Sequence, residues 1–231
     1  MGPHDEKMTP DQMRDHYREI LLMEYASGCL DQAESLLAET LVSLCKHARA
    51  QLNMCEEIGA AMLQSHCAPV KMSHHSLQSV LERLEDEFFE DMPCPRIMSD
   101  FFGDLPVPQP VQDYMVIHHH RPKWRKIAHG LLLCEIPTDS RSGHNAYLMR
   151  MMPGVPVTAR VKRGSEYVLV LDGSIHDGRQ DHVPGDLIVR EEGVTHKFIA
   201  HPHDGCLTFI VSSSAPASMG LVSHIMGIFR R

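Results

Sequence analysis

Apolar residues recur at helical spacing through roughly the first 90 positions of this 231-residue chain. Thr9 is a residue type that caps helix N-termini and Pro10 suits a first turn, so the pattern predicts that a helix opens there. Gly28 is expected to end that helix. With three later stretches of the same periodicity, the expected helices span residues 9–28, 30–44, 45–64 and 76–89.

Prolines interrupt the pattern between about residues 92 and 122. Proline fixes φ and removes a backbone donor, which disfavours both a regular helix and a central strand. The segment is therefore predicted to be an extended linker that marks a domain boundary. The prolines concerned are Pro93, Pro95, Pro106, Pro108, Pro110 and Pro122.

Short apolar runs of strand-like composition follow the linker, separated by turn signals such as Asp172-Gly173 and Pro184-Gly185. Runs of this length at such short intervals predict a small antiparallel β-barrel. The expected strands span residues 130–136, 146–152, 167–171, 187–190, 196–200 and 206–212.

Composition narrows the class of protein. Hydrophobic residues make up 43% of the chain and charged residues 23%, as in globular proteins. The sequence has no run of 18 or more apolar residues, and its N-terminus is acidic where a secretory signal would be basic. We therefore expect a cytoplasmic protein without a membrane partner. The seven cysteines are odd in number and lack paired spacing, so they are expected to be reduced thiols.

Negative charge is concentrated in the helical part. Residues 1–92 carry 7 Lys and Arg against 17 Asp and Glu, whereas residues 93–231 carry 15 against 13. An acidic surface repels nucleic acid phosphates and attracts a basic protein surface. The charge distribution therefore favours a protein partner for the helical part and argues against direct nucleic acid binding.

Two motifs with fixed spacing lie in the β-rich part. The first consists of Gly154, Arg160, Lys162, Glu166 and Gly173, separated by five, one, three and six residues. The second consists of Gly185, Glu191, Gly193 and His196, separated by five, one and two residues. Both spacings resemble those of the cupin family, which implies an antiparallel jelly roll. Because cupins have many activities, this resemblance does not define a function.

The cupin resemblance also implies a metal site, formed by an H-x-H pair, a Glu and a His of the second motif. Arg160 and Lys162 stand at the two positions of the pair, and only Glu166 and His196 match the remaining ligands. Neither Arg nor Lys is a suitable ligand near neutral pH, and two ligands make a poor site. We therefore expect the barrel to bind no metal.

Strand alternation places Arg160, Lys162 and Glu166 on one face, so these side chains are expected to meet inside the barrel. Two interpretations are open. The cluster could be an internal ion-pair network that replaces the metal, or it could bind a small anionic ligand such as a carboxylate or phosphate. The expected pocket consists of Arg160, Lys162, Glu166, His196, Tyr147 and Met149.

The helical part carries a second resemblance, located in residues 16–50. A Tyr-Ala-x-Gly turn, Tyr25 to Gly28, is followed by a helical stretch that carries Cys45. This arrangement resembles the N-terminal domain of ChrR-type zinc-binding anti-sigma factors. The resemblance covers nearly the whole chain and implies that the helical domain wraps a group IV (extracytoplasmic-function) sigma factor, while a cupin-like domain senses stress.

The same resemblance implies a zinc site in the helical domain, built from an N-terminal His and an H-x3-C-x2-C motif. His16 and Cys45 match two of those ligands, whereas Leu41 and Ala48 stand where the other two would be. Structural zinc needs four ligands. Either residual zinc is held by His16, Cys45 and neighbouring residues, or Leu41 and Ala48 replace the metal by apolar packing, which we expect.

Together these features predict an α+β protein with a helical anti-sigma-like domain (1–92), a Pro-rich linker (93–122), a cupin domain (123–215) and a C-terminal tail (216–231) that could form a short helix. The expected function is sequestration of a group IV sigma factor, with no catalysis and no cofactor. One alternative is a metal-dependent cupin enzyme, a dioxygenase or hydrolase, which needs open coordination positions on its metal. The other is a stand-alone sensor of small anions.

Overall fold

The helices of the protein lie close to their expected positions. The structure is a computed structural model that describes residues 10–87, 102–139, 143–161 and 164–213. Within these residues the helices are α1 (Pro10–Ala26), α2 (Gln32–Leu44), α3 (Lys46–His66), α4 (Ser76–Glu87) and α5 (Gln109–Ile117). None of the helices in the described part of the chain combines the length and apolar composition that a membrane span needs.

Local sequence explains where α1 ends and α2 begins. Gly28 follows α1 with a φ of 69°, in the left-handed region that glycine enters without a Cβ penalty. Asp31 caps α2, since its side chain accepts a hydrogen bond from the Glu34 backbone N–H at 2.9 Å. The two helices are therefore joined by a short corner of defined geometry.

The second half of the chain forms two antiparallel sheets. Their strands are β1 (Trp124–Ala128), β2 (Leu131–Ile136), β3 (Asn145–Met151), β4 (Pro156–Arg160), β5 (Ser165–Gly173), β6 (Ile175–His176), β7 (Asp181–His182), β8 (Leu187–Glu191), β9 (Thr195–Ala200) and β10 (Cys206–Ser212). The larger sheet has the order β1-β2-β3-β10-β5-β8 and the smaller one β4-β9-β6-β7. The expected α+β fold with a jelly roll is confirmed, although its two sheets do not close into one continuous barrel.

An apolar core fills the space between the two sheets. Val157, Ile175 and Phe198 of the smaller sheet pack with Met149 and Val168 of the larger one. All five side chains are at least 95% buried. This interior core fixes which side chains of each strand point into the jelly roll.

A second core joins the helical part to the outer face of the larger sheet. Leu22 of α1, Leu37 of α2 and Met115 of α5 are fully buried in the same cluster as Leu169 and Phe209 of β5 and β10. Burying one such side chain contributes roughly 1.5–3 kcal/mol. The helical part and the jelly roll are therefore coupled by a shared core.

The predicted extended linker is wrong for residues Gln109–Ile117, which form α5. Pro110 lies in the first turn of this helix, where a missing backbone N–H removes no intrahelical hydrogen bond. Val111 and Met115 are fully buried in the shared core and give α5 its tertiary support. Here the proline lies at the start of a helix and does not prevent helix formation.

Several parts of the sequence-based prediction lie outside the described residues. They are the helix cap Thr9, the last two residues of the fourth expected helix (88–89), the first part of the predicted linker (93–101), Lys162 and the C-terminal tail 216–231. Within the described residues, β1 (Trp124–Ala128) was not expected, because its start at Trp124 follows Pro122 and its apolar residues are few. It forms the edge of the larger sheet beside β2.

Candidate functional site

Inside the jelly roll, Glu166 and Arg190 form a buried ion pair. They are register partners on the neighbouring strands β5 and β8, and Glu166 Oε1 contacts Arg190 Nη2. Only 4% of Glu166 and 2% of Arg190 is exposed. Val168 and Ile188, two positions away on each strand, belong to the interior core, so the pair faces the space between the sheets.

Phe198 brings Arg190 and His196 together. The guanidinium carbon of Arg190 lies 5.6 Å from the centre of the Phe198 ring, within the range of a cation–π contact. The His196 ring stacks on the same ring, with 6.1 Å between centroids and 8° between planes. Burial lowers the pKa of His196, and the charge of Arg190 lowers it further. His196 is therefore a neutral imidazole at neutral pH, beside a permanent cation.

The expectation that Arg160 meets Glu166 inside the barrel is wrong. Arg160 is exposed, and its Nε atom donates a hydrogen bond to the Gly193 carbonyl oxygen at 3.1 Å. Val157 of the same strand reaches the interior core, so Arg160, three positions later, faces the opposite way. Alternation does not carry over from β4 to β5, because these strands belong to different sheets. Lys162 lies outside the described residues.

Tyr147 and Met149, on β3, both face the interior core. Burial raises the pKa of Tyr147 to about 12, and the Glu135 carboxylate adds to this rise. A cavity that His196 lines, described below, includes neither Tyr147 nor Met149 among its lining residues. That Tyr147 and Met149 line a ligand pocket stays a prediction.

The donor set inside the jelly roll does not fit a metal ion. The Glu166 carboxylate is engaged by the guanidinium of Arg190, whose charge cannot be removed near neutral pH. Position 160 supplies an exposed arginine where the cupin pattern has an imidazole. No metal chemistry follows from these residues.

In the helical part, two of the four positions at which the resemblance implies zinc ligands carry apolar side chains. Leu41 and Ala48 are fully buried and carry no metal-binding atom. His16 is exposed on α1, and Cys45 is half-buried between α2 and α3. Among the described residues, neither belongs to a group of three potential metal ligands. Leu41 and Ala48 belong to the shared core, and the replacement of a metal by their packing stays a prediction.

A group of three potential metal ligands lies elsewhere, at the junction between the helical part and the jelly roll. His144, just before β3, contacts Asp31 through Nδ1, and its Nε2 lies 3.5 Å from Glu34 Oε1. Nearby, the Asp139 backbone N–H donates to Gln32 Oε1 at 2.7 Å. Burial raises the pKa of Glu34. Sequence reasoning missed this cluster, because His144 lies 113 positions from Asp31 and no motif spacing connects them.

A cavity of about 360 Å³ opens where the first turn of α1 meets the edge of the jelly roll. Met13 and Arg14 of α1 form one wall. The other walls come from the β6–β7 turn, from β8 and from β9, and they include His182 and His196. The cavity therefore contacts both parts of the molecule.

Apolar side chains are exposed on α3, from Met54 to Leu63, and on α4. Their spacing of three or four residues places them on one face of each helix. The two exposed faces, together called the α3–α4 apolar surface, comprise Met54, Ile58, Met62 and Leu63 of α3 and Leu77, Val80 and Leu81 of α4, each at least 45% exposed. Clustered exposed apolar residues of this kind mark interaction surfaces.

The fold is a cupin-type jelly roll with a helical unit docked on its larger sheet. Residues 112–215 match the family model described as the ChrR Cupin-like domain. The chain is similar to the Anti-sigma-E factor ChrR of Cereibacter sphaeroides, with 28% identity over 204 residues that cover 88% of this chain and 91% of that protein.

A solved structure is also similar to this chain over most of its length. The chain is similar to the anti-sigma ChrR in the crystal structure of Rhodobacter sphaeroides SigE in complex with the anti-sigma ChrR. The TM-score is 0.62 at 27% identity, and the match covers 84% of this chain and 96% of that chain. The predicted resemblance to ChrR-type anti-sigma factors is therefore confirmed across both the helical part and the cupin.

Proposed function

We propose that this chain binds and sequesters a group IV sigma factor through its helical part. The observation that carries the proposal is the structural likeness, over 84% of this chain, to an anti-sigma protein crystallised with SigE. The match to the cupin family model begins only at residue 112, so the likeness includes the helices that precede it. A cupin by itself would leave the function open.

The α3–α4 apolar surface is the proposed contact with the sigma factor. Protein interfaces combine an apolar centre with a polar rim, and amphipathic helices commonly supply such a centre. Glu56, Glu57 and Glu82 are exposed on the same two helices and would form the rim. Their charge complements a basic partner surface and disfavours an acidic one.

Co-expression of the full chain with each group IV sigma factor of its host, followed by affinity purification, tests the proposal. We expect a stable complex with at least one of them. If none of the sigma factors is retained, the proposed function is wrong.

Paired variants test the contact surface. Met62→Glu combined with Leu63→Glu should abolish the complex, because the new charges would be buried without partners at the centre of an interface. Val183→Glu is the matched control, since Val183 is a 50% exposed apolar residue of the jelly roll. Neither change should lower the melting temperature, and equal loss of binding in both would refute the assigned surface.

We further propose that the jelly roll catalyses no covalent reaction. The Glu166–Arg190 pair supports this, because it occupies the carboxylate that a metal-dependent cupin dioxygenase or hydrolase would use. Elemental analysis of protein expressed with supplemented zinc and iron distinguishes a jelly roll without catalysis from a metal-dependent enzyme. A stoichiometric metal that disappears on Glu166→Ala would restore the enzyme alternative.

The stand-alone anion sensor is the second candidate function, and the cavity beside α1 favours it. Such a protein would bind a small anion and would form no complex with any sigma factor of its host. The co-expression experiment therefore distinguishes it from an anti-sigma factor.

A further inference from the structure

The cavity beside α1 carries an excess of positive charge. Among the described residues that line it, Arg14, Arg179 and Lys197 accompany one carboxylate, Asp177. Asp177 accepts hydrogen bonds from the backbone N–H groups of Arg179 and Gln180, at 2.8 and 2.9 Å. Burial alone would raise the pKa of Asp177, but its hydrogen bonds lower it. The carboxylate is thus ionised, and its hydrogen bonds come from backbone N–H groups and His182 rather than from the side chains of Arg179 and Lys197.

Two imidazoles in the cavity wall each keep one ring nitrogen without a partner. The side chain of His182 is 5% exposed, and its Nε2 lies 3.1 Å from Asp177 Oδ2. His182 Nδ1 and His196 Nε2 are both buried and have no hydrogen-bond partner among the described residues. Buried polar atoms in folded proteins nearly always have a partner. Both rings line the cavity, but the two nitrogens have almost no accessible surface, so a ligand in the cavity contacts other groups of the wall.

We propose that the cavity binds a small anion that carries a carboxylate or phosphate group, held between α1 and the jelly roll. The anionic oxygens accept hydrogen bonds from Arg179 and Lys197. The volume of about 360 Å³ admits a molecule of roughly ten non-hydrogen atoms, given about 30 Å³ for a water molecule. A divalent cation is the poorer occupant, because three cationic side chains line the same walls.

The occupant touches the helical part directly, because Met13 and Arg14 of α1 form one wall of the cavity. One turn further along α1, the Tyr17 hydroxyl donates to Glu191 Oε1 of β8 at 3.0 Å. A ligand in the cavity therefore adds contacts across the same junction and stabilises α1 against the jelly roll. Any effect of the ligand on sigma factor binding rests on the proposed function, whereas the binding site itself does not.

Thermal unfolding of the full chain tests the site, with sodium malonate, sodium phosphate and sodium chloride compared at equal ionic strength. Malonate tests for a ligand that carries a carboxylate, and phosphate tests for a ligand that carries a phosphate group. At least one of them should raise the melting temperature by a few degrees at saturation, and chloride should not. The double variant Arg179→Gln, Lys197→Gln should bind that anion at least tenfold more weakly. Lys126→Gln, which changes an exposed cation on β1, is the matched control and should bind like the unaltered chain.

Hydrogen exchange supplies a second readout that needs no sigma factor. The bound anion should slow amide exchange in residues 10–18 of α1, and the double variant should lose this protection. The site is refuted if neither anion raises the melting temperature, or if the double variant responds like the unaltered chain. Anion binding by a chain that retains no sigma factor would support the site and contradict the proposed function alone.

Discussion

Glu166 and Arg190 neutralise each other in an interior that both sheets shield from water. Removing one partner leaves the other buried and unpaired, which is costly. Replacing both by apolar side chains of similar size removes two desolvation costs at once. The pair therefore restricts which single substitutions the jelly roll accepts, without being a strong net source of stability.

Arg190→Met is expected to lower the free energy of unfolding by about 3–5 kcal/mol, because Glu166 stays buried without its counter-charge. The double variant Glu166→Leu, Arg190→Met should be at least as stable as the unaltered chain, within about 1 kcal/mol. Urea denaturation measures both. Arg160→Met is the control and should change the value by no more than about 0.5 kcal/mol, since Arg160 is exposed. If Arg190→Met and Arg160→Met lower the free energy of unfolding equally, the burial of Arg190 and the exposure of Arg160 would be contradicted.

Tyr147 provides a pH-dependent test of the interior. Burial raises its pKa to about 12 from the usual 10.0, so the unfolded chain loses the phenolic proton more readily than the folded one. The resulting stability is fully present below pH 10 and is lost as the pH rises from 10 to 12. Tyr147→Phe should therefore make the free energy of unfolding fall less steeply in that range. Between pH 7 and 9 both chains should show the same slope, and equal slopes above pH 10 would contradict the buried phenol.

The sequence predicts the positions of the strands more reliably than the sheet face on which a side chain lies. The six expected strands lie within two residues of the observed bounds, because apolar runs ended by glycine turns define a strand locally. The placement of Arg160 failed because alternation holds only within one continuous strand. The contact of His144 with Asp31 could not be predicted, since it depends on how the helical part docks on the sheet.

Leu37 of α2 tests whether the helical part and the jelly roll unfold together. It is fully buried in the shared core, so Leu37→Ala should lower the free energy of unfolding by about 2–5 kcal/mol. Trp124 of β1, the only tryptophan of the chain, packs against the same core. Helical circular dichroism and tryptophan fluorescence should therefore report one common, shifted transition.

Leu63→Ala is the matched control for this experiment, because Leu63 is 63% exposed on α3. It should change the free energy of unfolding by no more than about 0.5 kcal/mol. If the two optical signals separate into different transitions in the Leu37→Ala chain, the helices and the sheet do not share a cooperative core.

Across the whole molecule, the helical part faces in two directions. α1, α2 and α5 pack toward the larger sheet, while the α3–α4 apolar surface is exposed. α1 packs on α3, where Arg18 Nε donates to Gln51 Oε1 at 3.0 Å. A ligand beside α1 and a protein bound at α3 would therefore act on the same pair of packed helices. Coupling between the two binding events would then pass through the contacts between α1 and α3.

The acidic helical part should also make association with a sigma factor depend on salt. Residues 1–92 carry 17 acidic against 7 basic residues, and their attraction for a basic partner weakens as the Debye length falls from about 10 Å at 0.1 M to about 3 Å at 1 M salt. We expect the association rate to fall over this range while the dissociation rate changes little.

The double variant Glu56→Gln, Glu57→Gln should make the association rate less dependent on salt, because both carboxylates are exposed on α3. Met62→Ala should instead speed dissociation and leave the salt dependence intact. An association rate that does not respond to salt would show that the acidic surface plays no part in capturing the partner.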